Sequence, residues 1–129
     1  MILLDTHVLV WAQTNERKLS RAARSAIRRH SRSNALAISA FSLYEIAVIV
    51  ERGLLGLHGS IDATVRHFVE GISIRPITEE IAALAIQFPA GFPRDPGDRL
   101  IAATARAEDL TLITADDRIR ACDLISTIW

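Results

Sequence analysis

Ile2-Leu3-Leu4-Asp5 opens the chain and Leu110-Thr111-Leu112-Ile113-Thr114-Ala115-Asp116 stands near its end; both run from a strand-length apolar segment into an aspartate. An uninterrupted apolar run suits a strand covered on both faces, because its side chains alternate between two dry layers. Strands of that kind belong to parallel sheets flanked by helices. Further runs follow the same pattern at residues 35–39, 72–77 and 124–128. Segments of helical period alternate with them, as β-α units around a parallel sheet require.

The helical segments are marked by their ends. Residues 8–13 follow the first strand. Ser20 is placed to cap a basic helix reaching residue 30, with Ala22, Ala23, Ala26 and Ile27 as its apolar stripe. Residues 39–52 form a helix apolar nearly all round, expected to be mostly buried, with Gly53 as its stop. Residues 61–70 carry an amphipathic stripe. Thr78, followed by Glu79 and Glu80, opens a helix to about residue 88, since acids in a first turn suit the helix dipole. Residues 89–97 hold three prolines and two glycines and read as the one long loop. A last helix is expected over 98–108. Gly91 to Gly97 matches neither dinucleotide nor P-loop spacing, which argues against a nucleotide cofactor.

The whole chain sets the outer bounds. Its 129 residues, half of them hydrophobic, suffice for one domain spanning 1–129 and are too few for two ordinary ones. The formal charge is zero, so no global basic field draws in a polyanion. The distribution is uneven: Arg17, Lys18, Arg21, Arg24, Arg28, Arg29 and Arg32 fall in a stretch, 17–44, that contains no acid. Such a segment is either a polyanion-binding face or a solvated helix face. Cys122 is the only cysteine, so neither a disulfide nor a Cys-rich zinc site is available within the chain. No signal-peptide pattern opens the sequence. The apolar stretch 35–50 is shorter than the roughly 20 residues of a membrane span and contains Glu45. A soluble, cytoplasmic protein is expected.

Four acids stand at or inside elements that should be buried: Asp5, Glu45, Asp98 and Asp116. In an open parallel sheet, ligands gather beyond the carboxyl ends of the strands, where Asp5 and Asp116 fall. Both also suit a structural role, as helix caps or turn formers. Glu45 is harder to explain structurally. A capping box, Ser42-x-x-Glu45, would need the helix to start at Ser42, whereas Ser39 is the better start. Asp98 and Asp95 flank Pro96-Gly97, and spacing alone does not choose between them. Two carboxylates about 4 Å apart repel by about 4 kcal/mol at an effective dielectric near 20. Mg2+ or Mn2+ would remove that repulsion, and a water held there could attack a phosphodiester. His7, His30, His58 and His67 do not pair at ligand spacing, and His7 reads as a structural or surface residue.

Leu3-Leu4-Asp5-Thr6-His7, Ser42-Leu43-Tyr44-Glu45-Ile46, Asp95-Pro96-Gly97-Asp98-Arg99-Leu100-Ile101-Ala102-Ala103-Thr104-Ala105 and Leu112-Ile113-Thr114-Ala115-Asp116 together resemble the PIN-domain nucleases. The nearest group is the VapC toxins of type II toxin–antitoxin pairs. The resemblance covers the chain in order and spacing, and the block from Asp95 to Ala105 is its most specific part. It implies a three-layer α/β/α domain with a central parallel sheet and an Mg2+- or Mn2+-dependent endoribonuclease activity. It also implies a homodimer and a cognate antitoxin whose tail blocks the acidic pocket. The family's acidic quartet falls on Asp5, Glu45, Asp98 and Asp116, and its supporting hydroxyl on Thr114. Asp5, Glu45 and Asp98 are expected as principal metal ligands, with Asp116 more peripheral. Arg99 and Arg94 are the first candidates for RNA backbone contacts, then Arg24 and Arg28. A haloacid-dehalogenase-type phosphatase also starts from a strand-end Asp, but it needs a second Asp where His7 stands. A non-catalytic PIN-like RNA- or partner-binding module is the remaining alternative, and it leaves Glu45 unexplained.

Overall fold

The computed structural model describes residues 1–56 and 58–129. Five parallel strands form one sheet in the order β3-β2-β1-β4-β5. They are β1 (Ile2–Leu4), β2 (Leu36–Ser39), β3 (Ser73–Arg75), β4 (Thr111–Ile113) and β5 (Thr127–Ile128). The helices are α1 (Thr6–Thr14), α2 (Arg21–Arg32), α3 (Ala40–Glu51), α4 (Ile61–Phe68), α5 (Glu79–Ala85), α6 (Pro96–Ala107) and α7 (Asp117–Arg120).

Alternation along the strands divides the interior into two cores, one on each face of the sheet. Ile2 and Leu4 of β1, Leu36 and Ile38 of β2 and Ile113 of β4 face α1–α4, where Val8, Leu9, Ala23, Ala26, Ile46 and Phe68 cover them. Leu3, Ala37 and Leu112 point the other way, against Ile81 of α5, Ile101 and Ala105 of α6 and Ile119 of α7. The result is the expected three-layer α/β/α arrangement. The chain passes from β1 to β2 and β3 on one side, then crosses to β4 on the other. The direction of winding therefore reverses between β1 and β4, where open α/β sheets form their crevice.

The caps read from sequence are present. The hydroxyl of Ser20 accepts from Ala23 N, that of Ser39 from Phe41 N and that of Thr78 from Ile81 N. Gly53 follows α3 at φ +74°, a left-handed position that favours glycine. Three expectations need correction, and one short helix was not expected. The final helix starts at Pro96, inside the expected loop, because Asp95 caps it and proline is compatible with a first helical turn. Asp98 therefore lies in the first turn. Helix α5 stops at Ala85; Phe88 and Phe92 instead stack at 4.1 Å in the connecting segment. Helix α3 buries only Ser42, Ile46 and Val50, and Tyr44 is 65% exposed. An all-round apolar helix signals faces that gain from cover without saying that this chain covers them all. Finally, α7 is a single turn too short to produce a periodic pattern.

Leu112 is fully buried in the second core. Leu112→Ala should lower the unfolding free energy by about 2–5 kcal/mol in a urea titration, with secondary structure retained by circular dichroism.

Candidate active site

The carboxyl ends of β1, β2 and β4 lead directly into the acidic positions. Asp5 follows β1 and caps α1, its Oδ1 accepting from Thr6 N at 2.8 Å. Its Oδ2 accepts from Thr114 Oγ1, also at 2.8 Å. Thr114 is fully buried just beyond β4, and its Oγ1 accepts in turn from Asp116 N at 3.2 Å. Neighbouring strands thus place a hydroxyl across the aspartate of β1 and fix its rotation.

Glu45 is held from the other side. Thr6 Oγ1 donates to Glu45 Oε1 at 2.6 Å and lies 2.8 Å from Ser42 Oγ. Thr6 has one hydroxyl proton, which serves the carboxylate, so the Ser42 hydroxyl is the donor to Thr6. Both hydroxyls are buried. Ser42 therefore orients Glu45 through Thr6. It does not form a capping box, because Ser39 is the cap.

The third acidic element is the start of α6. Asp95 Oδ1 accepts from Asp98 N at 3.1 Å. Between them Gly97 is buried, and a Cβ there would lie 2.9 Å from Phe41 Cε1 and 3.0 Å from both Asp95 Oδ1 and Glu45 Oε2. Only a residue without a side chain lets α6 approach α3 at the level of Glu45. Asp116 caps α7, with Oδ1 accepting from Arg118 N at 2.9 Å and Ile119 N at 3.3 Å.

Asp5, Glu45, Asp95, Asp98 and Asp116 line one cleft of about 420 Å³, together with His7, Val8, Trp11 and Ala115. All four expected acids are in it, and Asp95 joins them. Burial raises the Asp5 carboxyl above its ordinary range, against the hydrogen bonds from Thr114 and Thr6. Burial also raises Glu45, opposed by the Thr6 hydroxyl and reinforced by repulsion from Asp5 and Asp95. Asp98 is pushed up to about 7, first by burial and then by Asp95, Asp5, Asp116 and Glu45. Among the described residues the one ion pair made by these acids is Arg118 Nε with Asp116 Oδ1 at 3.9 Å, so most of the site's negative charge is left unpaired.

Such a donor set, all carboxylate oxygen, suits a hard divalent cation. Among the described residues no three His, Cys, Asp or Glu side chains form a ready-made metal cage. Magnesium needs none: it commonly takes one or two carboxylates and keeps several waters.

Other expected site residues lie apart. Arg99 donates to Ala85 O at 3.1 Å and its guanidinium sits 5.8 Å from the Phe92 ring, so it anchors α6 to α5. Arg94 is exposed beside Asp95. Arg24 and Arg28 line a different cleft and engage Glu16. Sequence reasoning missed Thr6, Ser42 and Gly97, and it set aside His7, which lines the acidic cleft. Their signal was adjacency: each stands within three residues of an acid already singled out.

Comparison with known proteins bears on the family and the fold. The PIN domain family model matches residues 2–124. The chain is 36% identical over 120 residues to Ribonuclease VapC22 of Mycobacterium tuberculosis, covering 93% of this chain and 90% of that protein. In fold it is similar to VapBC2 from Rickettsia felis bound to a promoter DNA fragment, with TM-score 0.76, 19% identity, and 99% and 98% of the two chains covered. It is also similar to FitAcB from Neisseria gonorrhoeae, with TM-score 0.73, 21% identity, and 100% and 97% covered. The chain belongs to the PIN-domain family.

The Asp98 shift has a defined consequence for stability. A carboxyl at about 7 in the fold, against an ordinary 3.8, holds its proton more tightly when folded. That stabilisation is complete below pH about 4 and is lost as pH rises through about 7. Without divalent cations, the melting temperature should fall between roughly pH 4 and 7 and level off above that. Asp98→Asn should flatten that slope and raise the midpoint at the alkaline end, as read by thermal melts across pH.

Proposed function

We propose that this chain is a divalent-metal-dependent endoribonuclease and the toxin of a toxin–antitoxin pair. The observation carrying the activity is the shared cleft that gathers five carboxylates, in which burial first and the facing acids second hold the Asp98 proton to about pH 7. A relative sharing 36% of residues is named a ribonuclease, which favours RNA as substrate. Solved structures of the same fold are titled as VapBC assemblies, which favours an antitoxin partner.

Asp5, Glu45 and Asp98 would hold Mg2+ or Mn2+, with Asp116 more peripheral and Asp95 adding charge. When bound, the cation supplies Lewis-acid stabilisation of phosphoryl oxygens and activation of the attacking water. The protein's own part is orientation. Thr114 and Thr6 lock the rotamers of Asp5 and Glu45, so that free lone pairs face the cleft. Asp98, half-exposed and titrating near neutrality, must lose its proton for the site to load. Activity should therefore rise with pH through about 7.

Arg94 is the first side chain we assign to the RNA backbone, because it stands exposed next to the cleft residue Asp95. Arg99 would act through the placement of α6. Arg24 and Arg28, considered above for RNA, fit the antitoxin better. They rim a cleft of about 690 Å³ with an apolar floor that includes Leu9, Ile27 and Leu36. Arg24 Nε is buried there without a hydrogen-bond partner among the described residues. An apolar segment carrying acids would satisfy both features. The homodimer implied by the resemblance is consistent with the exposed apolar side chains Tyr44 and Leu54 in and beyond α3. Among the described residues no helix is long and apolar enough to cross a membrane.

Purified protein should cleave RNA with Mg2+ or Mn2+ and lose the activity in excess chelator; full cleavage in chelator would refute the metal mechanism. Asp5→Asn and Asp98→Asn should abolish cleavage while the fold survives. Metal at 100 times its Kd should stabilise the wild type by about 2.7 kcal/mol, and Asp5→Asn should lose most of that gain. A wild-type melt indifferent to metal would point to the binding-module alternative.

A further inference from the structure

The acidic cleft has one wall that its chemistry does not account for. His7 and Trp11 stand one turn apart on α1 and therefore on one face, with ring centroids 6.0 Å apart and planes inclined at 50°. Trp129 lies 6.0 Å from Trp11 on a similar tilt, and Lys18 Nζ sits 5.7 Å from the Trp11 ring centroid. Trp11 is half-buried, packed on one side against the first core, while His7 is exposed. His7 and Trp11 line the same cleft as Asp5, Glu45, Asp98 and Asp116. Both tryptophans of the chain meet in this cluster.

A nucleic acid has two handles, its phosphates and its bases. The cleft is acidic, the chain has no net charge, and Arg24, Arg28 and Arg99 are engaged elsewhere. Arg94, exposed beside Asp95, is left as the one arginine assigned above to the backbone, so phosphate attraction at the cleft is weak and the bases offer a second handle. Aromatic side chains beside a cation are the usual platform for unpaired bases, because every base has a π-face; Lys18, lying over the Trp11 ring, would move aside or share the stack. A paired base offers no such face.

We propose that His7 and Trp11, backed by Trp129 and Lys18, form a platform that stacks an unpaired RNA base beside the phosphate to be cut. This rests on the nuclease reading and gives the two rings of α1 a positioning role that the acidic residues do not supply. The platform residues position substrate and take no part in proton or metal chemistry.

The test uses the full chain carrying Asp98→Asn, with a single-stranded RNA of about ten nucleotides, its abasic counterpart and a duplex of the same length. Tryptophan fluorescence should be quenched by the single strand, and the abasic and duplex forms should bind about ten-fold more weakly. Trp11→Leu, which keeps apolar bulk, should bind the single strand about ten-fold more weakly, and Trp11→Phe should recover most of the loss. In the otherwise wild-type enzyme, Trp11→Leu should raise KM by a similar factor with kcat little changed. Equal affinity for the abasic strand, or wild-type KM in Trp11→Leu, would overturn the platform and leave Trp11 as core packing. If Trp11→Leu fails to fold, the abasic comparison on the unmutated ledge still decides. Loss of the nuclease reading is read separately: wild-type protein would then fail to cleave RNA with any divalent metal, whatever the binding data say.

Discussion

Mutual repulsion among acids gathered in one cleft is the constraint to which the rest of this molecule answers. At an effective dielectric near 20, two carboxylates repel by about 4 kcal/mol at 4 Å and still by about 2 kcal/mol at 8 Å. The fold opposes this with neutral devices. Helix N-termini under Asp5, Asp95 and Asp116 each contribute about 0.3–1 kcal/mol, and a hydrogen bond to a charged group about 1.5–3 kcal/mol. Asp5 receives two such bonds, from Thr6 and Thr114, and Glu45 one. The Asp98 carboxyl accepts no side-chain or backbone hydrogen bond among the described residues, so nothing opposes its burial and, after that, the repulsion of four other acids. Asp5 and Glu45 are also raised by burial, but their hydrogen bonds work against it, and Asp98 is the one pushed up to about 7.

Placement of these groups follows from the sheet. Parallel strands deliver their carboxyl ends to one edge, and the reversal of winding between β1 and β4 leaves a crevice there. Asp5 and Thr114 come from those two strands, so their contact spans the crevice and bonds residues 109 positions apart. Glu45 comes from the helix after β2, and Thr6 reaches it from the first turn of α1. Two buried hydroxyls thus join three strand ends into one unit. Gly97 completes it by bringing the start of α6 against α3 at the height of the Glu45 carboxylate.

β1, β2 and β4 were legible because buried parallel strands are written as plain apolar runs; β3 and β5, at the sheet edges and only partly buried, showed as apolar residues interleaved with polar ones. The caps were legible because Ser20, Ser39 and Thr78 stand immediately before periodic segments. The acidic quartet was legible for a related reason, charge in a context where burial makes it costly. What escaped has physical causes. Pro96-Gly97 reads as a break in isolation, yet proline tolerates a first turn and glycine was needed for a tertiary approach that no local signal encodes. Helix α3 was expected inside because apolar composition reports a preference for burial and not the supply of neighbours. Arg99 was assigned outward, whereas its guanidinium is taken by Ala85 and Phe92, partners brought near only by the packing of α5 on α6. His7 and Trp11 were invisible as a pair since their meaning depends on which face of α1 borders the cleft.

Charge and apolar surface are therefore separated in this chain. Negative charge is concentrated at the sheet's carboxyl edge, where it suits a cation and by itself repels a polyanion. Positive charge is concentrated on α2, around a different cleft with an apolar floor. Had the arginines of α2 lined the acidic cleft, they would have paired with its carboxylates and competed with a cation for them. On the proposed reading, keeping them on another element leaves the metal as the counter-charge at the reacting centre, so that cleavage would depend on its presence. It also leaves a basic surface for an acidic partner, so that binding of that partner and loading of the metal would not compete for the same side chains.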